Sequence, residues 1–267
     1  MKQLIDFDEQ FNEYMDAWAE KLLSDGKKPE EIESLIPQAY EDWSKEASKY
    51  FDGLPSDELC QMLSAYLDEE ISVPDVLIEK IVSDKDCEKG VYNLFTQERS
   101  DNDKIMLMNI LVDMNSALPI NDYISMLCYD ENADLADAAA EALKYASGVA
   151  TEKVLEIYEE ERDTETKEKL MYVLVYTEPK VEGLGSKLIA LMNETENKAL
   201  IAGMMAFYGD DSCLNALKNA ENAEGINYID YVEICDAIEA LGGETDRKRE
   251  FDGDEYYEMI HSGGLDQ

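Results

Sequence analysis

The chain has little of the side-chain chemistry on which most enzymes depend. It contains one histidine, His261, and five cysteines, and no two of the cysteines form a Cys-x-x-Cys pair. A nucleophilic triad or a tetrahedral zinc site needs several such side chains placed together. The sequence also has no Walker loop, no G-x-S-x-G motif and no H-E-x-x-H motif. We therefore expect a protein that is not an enzyme and that uses no metal and no cofactor.

Basic residues are scarce as well: Lys and Arg total 23 against 62 Asp and Glu, which gives a formal net charge of −39. A protein that binds DNA or RNA needs basic groups for the phosphates, so we expect no nucleic-acid partner. An anionic membrane surface is disfavoured for the same reason. The charge favours a basic protein, a basic peptide or divalent cations as partners, unless it serves only to keep the protein dissolved.

Long apolar runs and a signal peptide are also missing. The longest apolar stretch, Leu170 to Tyr176, is too short to cross a bilayer, and acidic residues follow Ile5 too early for a signal peptide. Most of the cysteines lie on apolar stripes of predicted helices, where a free thiol behaves as a small hydrophobe. These features predict a soluble, cytoplasmic protein.

What the sequence does contain is a helical repeat of 31 residues. Almost every segment has helical periodicity, and none alternates as a half-buried strand would. When four successive units of 31 residues are aligned, three columns of the alignment are apolar in every unit. They are Met108, Ala139, Leu170 and Ile201; Leu111, Ala142, Val173 and Met204; and Val112, Leu143, Leu174 and Met205. Units that hide an apolar face only against the next unit form a stacked array. The sequence therefore predicts an all-α solenoid of helix pairs.

The repeat register predicts three segments within one continuous domain. Residues 1–54, which hold both tryptophans, form an N-terminal helical cap; residues 55–243 form the solenoid; residues 244–267 form a closing cap or a loose tail. The predicted helix pairs are 56–69 with 74–83, 86–97 with 101–115, 119–128 with 132–146, 150–161 with 163–176, 180–192 with 194–208, and 210–221 with 227–241. Glycines at 148, 209 and 242 supply helix stops.

Two segments resemble the short bacterial HEAT-like repeat. One is Asp134 to Leu143 followed by Gly148, and the other is Met204 to Leu217. The likeness extends over about residues 100 to 241 and departs from the family pattern at Pro179, which replaces the usual Gly-Asp turn. The arginine usual in the second helix is also absent. The resemblance implies a right-handed superhelix of antiparallel helix pairs, and no particular reaction, since such repeats serve as scaffolds, adaptors, inhibitors and occasionally enzymes.

A fourth column is aromatic or large: Met114, Tyr145, Tyr176 and Phe207 recur every 31 residues. On a concave face rich in acids, such rings would hold the stems of Lys and Arg while carboxylates take the charged ends. The alternative is that the rings fill the seams between units, as a stripe at helical period usually does. The predicted partner-binding groove consists of Met114, Glu141, Tyr145, Tyr172, Tyr176 and Phe207.

We therefore predict a non-catalytic scaffold or adaptor that binds a basic protein or peptide in an acidic concave groove. An immunity-type inhibitor of a cationic toxin is one alternative, because size, charge and the lack of catalytic motifs fit it. An unrecognised enzyme or a metal-binding protein is another. The acidic runs 159–163 and 252–255 could attract Ca²⁺, although neither follows the spacing of a tight calcium loop. The oligomeric state stays open.

Overall fold

The computed structural model of the chain describes residues 3–146 and 148–262, with side chains through residue 260. The side chain of His261 and the last five residues of the predicted C-terminal segment lie outside this range. The described residues form helices and contain no strand, which confirms the all-α prediction. The chain folds as two compact units, Met1–Pro119 (unit 1) and Ile120–Gln267 (unit 2). This division coincides with neither predicted boundary, after residue 54 or after residue 243.

Sixteen α-helices lie in the described part of the chain. Those of unit 1 are α1 Phe7–Ser24, α2 Pro29–Glu33, α3 Ile36–Ser48, α4 Ser56–Asp68, α5 Asp75–Ser83, α6 Glu88–Phe95 and α7 Asp101–Asp113. Those of unit 2 are α8 Ile120–Tyr129, α9 Ala133–Tyr145, α10 Gly148–Glu160, α11 Thr164–Tyr176, α12 Gly185–Glu194, α13 Lys198–Tyr208, α14 Leu214–Glu221, α15 Tyr228–Ala240 and α16 Glu255–Ser262. Helices of the predicted pairs contact each other, as α8 with α9, α10 with α11 and α12 with α13 do.

The three apolar columns of the repeat are the core of these helices. Of their twelve side chains, all are buried except that of Val112, which is half-buried. In unit 2 the second helices of successive pairs also contact one another in order, from α9 to α11, α13 and α15. Burial of the columns accounts for this order, because each second helix covers an apolar stripe of its neighbour.

Side-chain caps mark the starts of several second helices. The Ser100 hydroxyl accepts the Asp103 N–H at 3.2 Å, and the Asp163 carboxylate accepts the Thr166 N–H at 2.8 Å. Asn227 accepts the Asp230 N–H in the same way at 2.8 Å. Each cap satisfies one of the N–H groups that have no partner within the helix. The short polar residues between apolar runs therefore set the helix starts.

Several helices begin later than the sequence predicts. The helix predicted for 194–208 begins at Lys198, and the one predicted for 210–221 begins at Leu214 after a 3-10 turn. The helix predicted for 180–192 begins at Gly185, because Gly183 lies at φ +78° in a turn that a helix cannot contain. Within the predicted cap, the chain from Pro29 to Ser48 forms two helices, and α3 begins at Ile36 so that Pro37 lies in its first turn. Proline is tolerated in a first helical turn, whereas deeper in a helix it removes a hydrogen bond and clashes with the preceding turn.

The segment after α15 is anchored rather than isolated. Phe251 is buried against Tyr231 and Cys235 of α15, with Tyr228 and Tyr257 packed around it. The Arg249 guanidinium also donates to the Glu221 carbonyl oxygen at 3.1 Å. This part of the predicted cap or tail therefore adds apolar cover to the last helix pair of unit 2.

Candidate functional site

Unit 2 has a cavity of about 450 Å³ on the side formed by its second helices α9, α11 and α13. Residues of α8 also reach it. Apolar side chains and charged side chains share the lining. The lining residues are Leu127, Asp137, Ala140, Glu141, Glu165, Glu168, Lys169, Tyr172 and Leu200. We call this cavity the acidic pocket.

Helical spacing explains why the acids converge there. Four residues of α11 line the pocket: Glu165, Glu168, Lys169 and Tyr172. The last three follow Glu165 by three, four and seven positions, so all four lie on one face of the helix. The opposite face carries the buried core columns. Asp137, Ala140 and Glu141 on α9 have the same three- and four-residue spacing. Each helix therefore buries its apolar stripe and turns its acidic stripe toward the pocket.

The charges of the lining are unbalanced. Four carboxylates and one ammonium, that of Lys169, belong to the lining. Glu141 also pairs with the Lys144 ammonium beside the lining, so two formal negative charges are left in excess. Lys169 pairs with Glu165 at 3.2 Å, while Glu168 accepts a hydrogen bond from the Thr195 hydroxyl. The lining therefore combines an excess of negative charge with apolar surface.

The aromatic column continues the same side of unit 2 beyond the pocket. The Tyr172 and Tyr176 ring centroids lie 4.7 Å apart, and those of Tyr176 and Phe207 lie 4.3 Å apart. Phe207 is 60% exposed and Tyr145 is 74% exposed, while Tyr172 and Tyr176 are half-buried. The rings in unit 2 thus form an accessible surface and do not fill the core. Tyr172 belongs to both the acidic pocket and this aromatic row.

Lys144 of α9 lies against the same rings. Its ammonium nitrogen is 4.9 Å from the centre of the Tyr172 ring and 5.7 Å from that of Tyr176, and it pairs with Glu141. Only 12% of the Lys144 side chain is exposed. Desolvation lowers the pKa of Lys144, but the Glu141 carboxylate and the Tyr172 hydroxyl outweigh it, so the pKa is raised. These rings therefore already hold one cation of the chain itself.

Met114 does not belong to this surface. It is 1% exposed, and its carbonyl oxygen accepts a hydrogen bond from the Lys85 ammonium within unit 1. In the 31-residue register, Met114 is the first residue after α7, whereas Tyr145 and Tyr176 are the last residues of α9 and α11. The chain turns directly after Met114, at Asn115, whose φ is +54°. The prediction that Met114 lines a groove is corrected accordingly.

The sequence prediction missed most of the acidic pocket. Of its lining residues, only Glu141 and Tyr172 were among the predicted groove residues. Asp137, Glu165 and Glu168 could have been found, since they lie at helical spacing from those two positions on predicted second helices. Leu127 and Leu200 carry no such signal, because their contribution depends on how neighbouring helices pack.

The acidic runs that suggested calcium accept backbone hydrogen bonds at the ends of helices. Glu161 accepts the N–H groups of Arg162 and Asp163, at 2.6 and 2.9 Å, and Asp254 accepts those of Tyr256 and Tyr257 at 3.0 and 3.1 Å. These bonds lower the pKa of the Glu161 carboxyl. Among residues 3–146 and 148–260, no three His, Cys, Asp or Glu side chains are grouped so that they could hold a metal ion.

No helix within the described ranges combines the length and the apolar character needed to cross a membrane. Comparison of the chain with protein-family models, with curated proteins and with solved structures gave no match. Membership of the HEAT-like repeat family therefore stays a prediction.

Proposed function

We propose that unit 2 binds a basic segment of another protein on the acidic pocket and the aromatic row beside it, and that the protein is a non-catalytic scaffold or adaptor. The observation that carries this proposal is the joint position of the two features. Four carboxylates, three aliphatic side chains and the Tyr172 ring share one cavity, and accessible rings extend from it across α9, α11 and α13.

A Lys or Arg side chain matches this surface in two ways. Its methylene stem packs on Leu127, Ala140 and the Tyr172 ring, and its charged end reaches the carboxylates at the rim. A second basic or aromatic residue of the same segment packs on the exposed rings of Tyr145 or Phe207. An acidic or neutral segment would gain only the apolar part of this contact. The excess of acids therefore selects for basic partners.

The architecture that we propose for this role is a right-handed solenoid of HEAT-like helix pairs. The burial of three columns at a 31-residue period supports it, as does the succession of contacts from α9 to α15. In such an array the second helices supply a continuous binding face. The five free cysteines, four of them buried, fit a reducing, cytoplasmic setting.

The test is a titration of a fluorescently labelled nona-arginine peptide, followed by fluorescence anisotropy. The pocket variant carries Asp137→Asn, Glu165→Gln and Glu168→Gln, which keep the side-chain shapes and the acceptor for Thr195. The control variant carries Glu13→Gln, Asp16→Asn and Glu20→Gln, three exposed acids of α1 that remove the same charge elsewhere. We expect the pocket variant to bind about tenfold more weakly, which is about 1.4 kcal/mol, and the control to bind nearly as the wild type does.

Equal weakening in both variants would contradict the proposal, because it would show attraction to the net charge of the whole chain. Salt supplies a second arm of the test. The Debye length falls from about 30 Å at 0.01 M to about 3 Å at 1 M, so binding should weaken steeply over this range. The apolar contacts to Tyr145 and Phe207 should leave residual binding at high salt that Tyr145→Ala removes.

A further inference from the structure

A second cavity lies in unit 1, far smaller than the acidic pocket and built differently. Its volume is about 100 Å³, and four of its walls are aromatic rings from α1 and α3. The loop before α5 and the first turn of α5 close it on the remaining side. The lining residues are Phe7, Asp8, Phe11, Tyr40, Trp43, Ser72, Val73, Pro74, Asp75 and Val76. We call this cavity the aromatic cage.

The rings of the cage meet at steep angles. Phe11 is 5.5 Å from Tyr40 with 86° between the ring planes, and 4.9 Å from Trp43 with 58° between them. Phe7 lies at the buried end, 3% exposed, with its ring at 76° to that of Trp43. Tyr40 is 41% exposed and lies at the open end. A cation between such rings is attracted wherever it meets the negative face of a ring quadrupole.

Two carboxylates complete the lining, and no Lys or Arg is among the lining residues. Asp8 lies in the first turn of α1, one residue after Phe7. Asp75 begins α5 and accepts a hydrogen bond from the Tyr40 hydroxyl at 3.1 Å, which holds the Tyr40 ring at the rim. The Asp75 charge also offsets the positive end of the α5 dipole beside the cavity. The cage therefore combines aromatic walls with two formal negative charges.

From this geometry we infer that the aromatic cage binds the head group of a quaternary or methylated ammonium compound. Aromatic faces attract a cation without donating or accepting hydrogen bonds, which suits an ammonium whose protons are replaced by methyl groups. An unmodified Lys ammonium keeps a strong hydration shell and loses more on entering such a site. Since a water molecule occupies about 30 Å³ of liquid, the cavity holds only a few heavy atoms, enough for a head group whose stem leaves past Tyr40.

The same rings also hold α1 against α3, so packing alone is the alternative explanation for them. The two explanations differ in what they predict for charge, because apolar packing does not depend on whether a compound in the cavity is charged. A site that recognises charge must distinguish choline from dimethylbutanol, an uncharged isostere with carbon in place of nitrogen. A purely structural aromatic cluster would treat the two compounds alike.

The experiment uses the full chain with Trp18→Phe, which leaves Trp43 as the only tryptophan and thus as the reporter inside the cage. Choline chloride and dimethylbutanol are titrated at constant ionic strength while tryptophan fluorescence is followed. We expect choline to saturate the signal at least about tenfold more tightly than its isostere does. Equal responses to the two compounds, or no response to choline, would overturn the inference.

Variants then locate the effect. Asp8→Asn with Asp75→Asn keeps the shape of the cage, and the amide oxygen introduced at position 75 can still accept the Tyr40 hydrogen bond; we expect choline affinity to fall about tenfold. The matched control, Asp16→Asn with Glu20→Gln, removes two exposed charges of α1 outside the lining and should leave choline affinity unchanged. An equal loss in the control would show that choline follows net charge and would also overturn the inference.

A last pair of titrations compares choline with N-acetyl-trimethyllysine methylamide. Tighter binding of the lysine derivative assigns the cage to methylated lysine side chains, and tighter binding of choline assigns it to small free ammonium compounds. Both results support the ammonium site. Because the aromatic cage lies entirely in unit 1, the result of these titrations does not depend on whether unit 2 binds a basic peptide.

Discussion

The Lys144 ammonium lies 4.9 Å from the centre of the Tyr172 ring, so a cation of α9 rests on an aromatic side chain of α11. Glu141, one turn earlier on α9, pairs with the same ammonium. The contact links two second helices through side chains of the proposed binding surface. Because Lys144 already covers part of this surface, the proposed basic partner would bind through the acidic pocket and the exposed rings of Tyr145 and Phe207.

Replacing Lys144 by Met should destabilise unit 2 modestly. Met keeps an unbranched apolar stem but loses the cation over the rings and the pair with Glu141. We expect the free energy of unfolding in urea to fall by about 1 kcal/mol. Lys144→Arg retains a cation over the rings and should stay near the wild-type value. Unchanged stability in Lys144→Met would show that the contact contributes nothing to the fold.

Truncation to Ala should affect stability little at exposed positions of the repeat and strongly at buried ones. Tyr145 is 74% exposed, so Tyr145→Ala should change the free energy of unfolding by less than about 0.5 kcal/mol while weakening nona-arginine binding severalfold. Ile201 is fully buried in the first core column, and Ile201→Ala should cost about 2–5 kcal/mol. A large loss of stability in Tyr145→Ala, measured by urea unfolding, would show that the Tyr145 ring is packed in the core.

Alkaline pH should destabilise the protein through Tyr158. Burial, helped by Glu194 and Glu159, raises the pKa of Tyr158 to about 12, against about 10 in an unfolded chain. The neutral phenol is therefore favoured by folding, and its contribution is intact below pH about 10 and lost as pH rises toward 12.

The corresponding measurement is urea unfolding of the wild type and of Tyr158→Phe at pH about 9 and about 11. Between these values the wild type should lose about 1 kcal/mol more than Tyr158→Phe does. Parallel losses in the two proteins would mean that Tyr158 ionises as easily in the folded chain as in the unfolded one.

Cys60 should be the most reactive of the five thiols. It is half-buried, and a hydrogen bond from Cys87 lowers its pKa. Burial raises the pKa of Cys128 and of Cys213 to about 11, which keeps both protonated and unreactive at neutral pH. Iodoacetamide labelling followed by peptide mass mapping should therefore modify Cys60 first. The fast phase should vanish in Cys60→Ser and persist in Cys128→Ser.

The helices and their buried faces were largely predictable because both depend on local pattern. Apolar residues such as Leu143, Leu174 and Met205 recur at a fixed period, and that period sets which side of each helix is buried. The start of α12 was not predictable in this way. The turn at Gly183 delays it by five residues, from the predicted 180 to Gly185.

The proposed binding surface was only partly predictable. Tyr145, Tyr176 and Phe207 share a column, but a column does not say whether its members face solvent or a neighbouring helix. Met114 has the same register and is buried, because α7 ends one residue before it. The acidic pocket and the aromatic cage each join side chains from at least three helices or loops. Such joint positions depend on packing between elements, which repeat counting does not give.

The claim that basic segments bind across α9, α11 and α13 is tested most directly by photo-crosslinking. A nona-arginine peptide that carries a terminal benzophenone is bound at low salt and irradiated, and the adducts are mapped by mass spectrometry. We predict adducts concentrated in 133–145, 164–176 and 198–208, and lost in the Asp137→Asn, Glu165→Gln, Glu168→Gln variant. Adducts spread over the acidic helices of both units, or concentrated in residues 3–119, would contradict the claim.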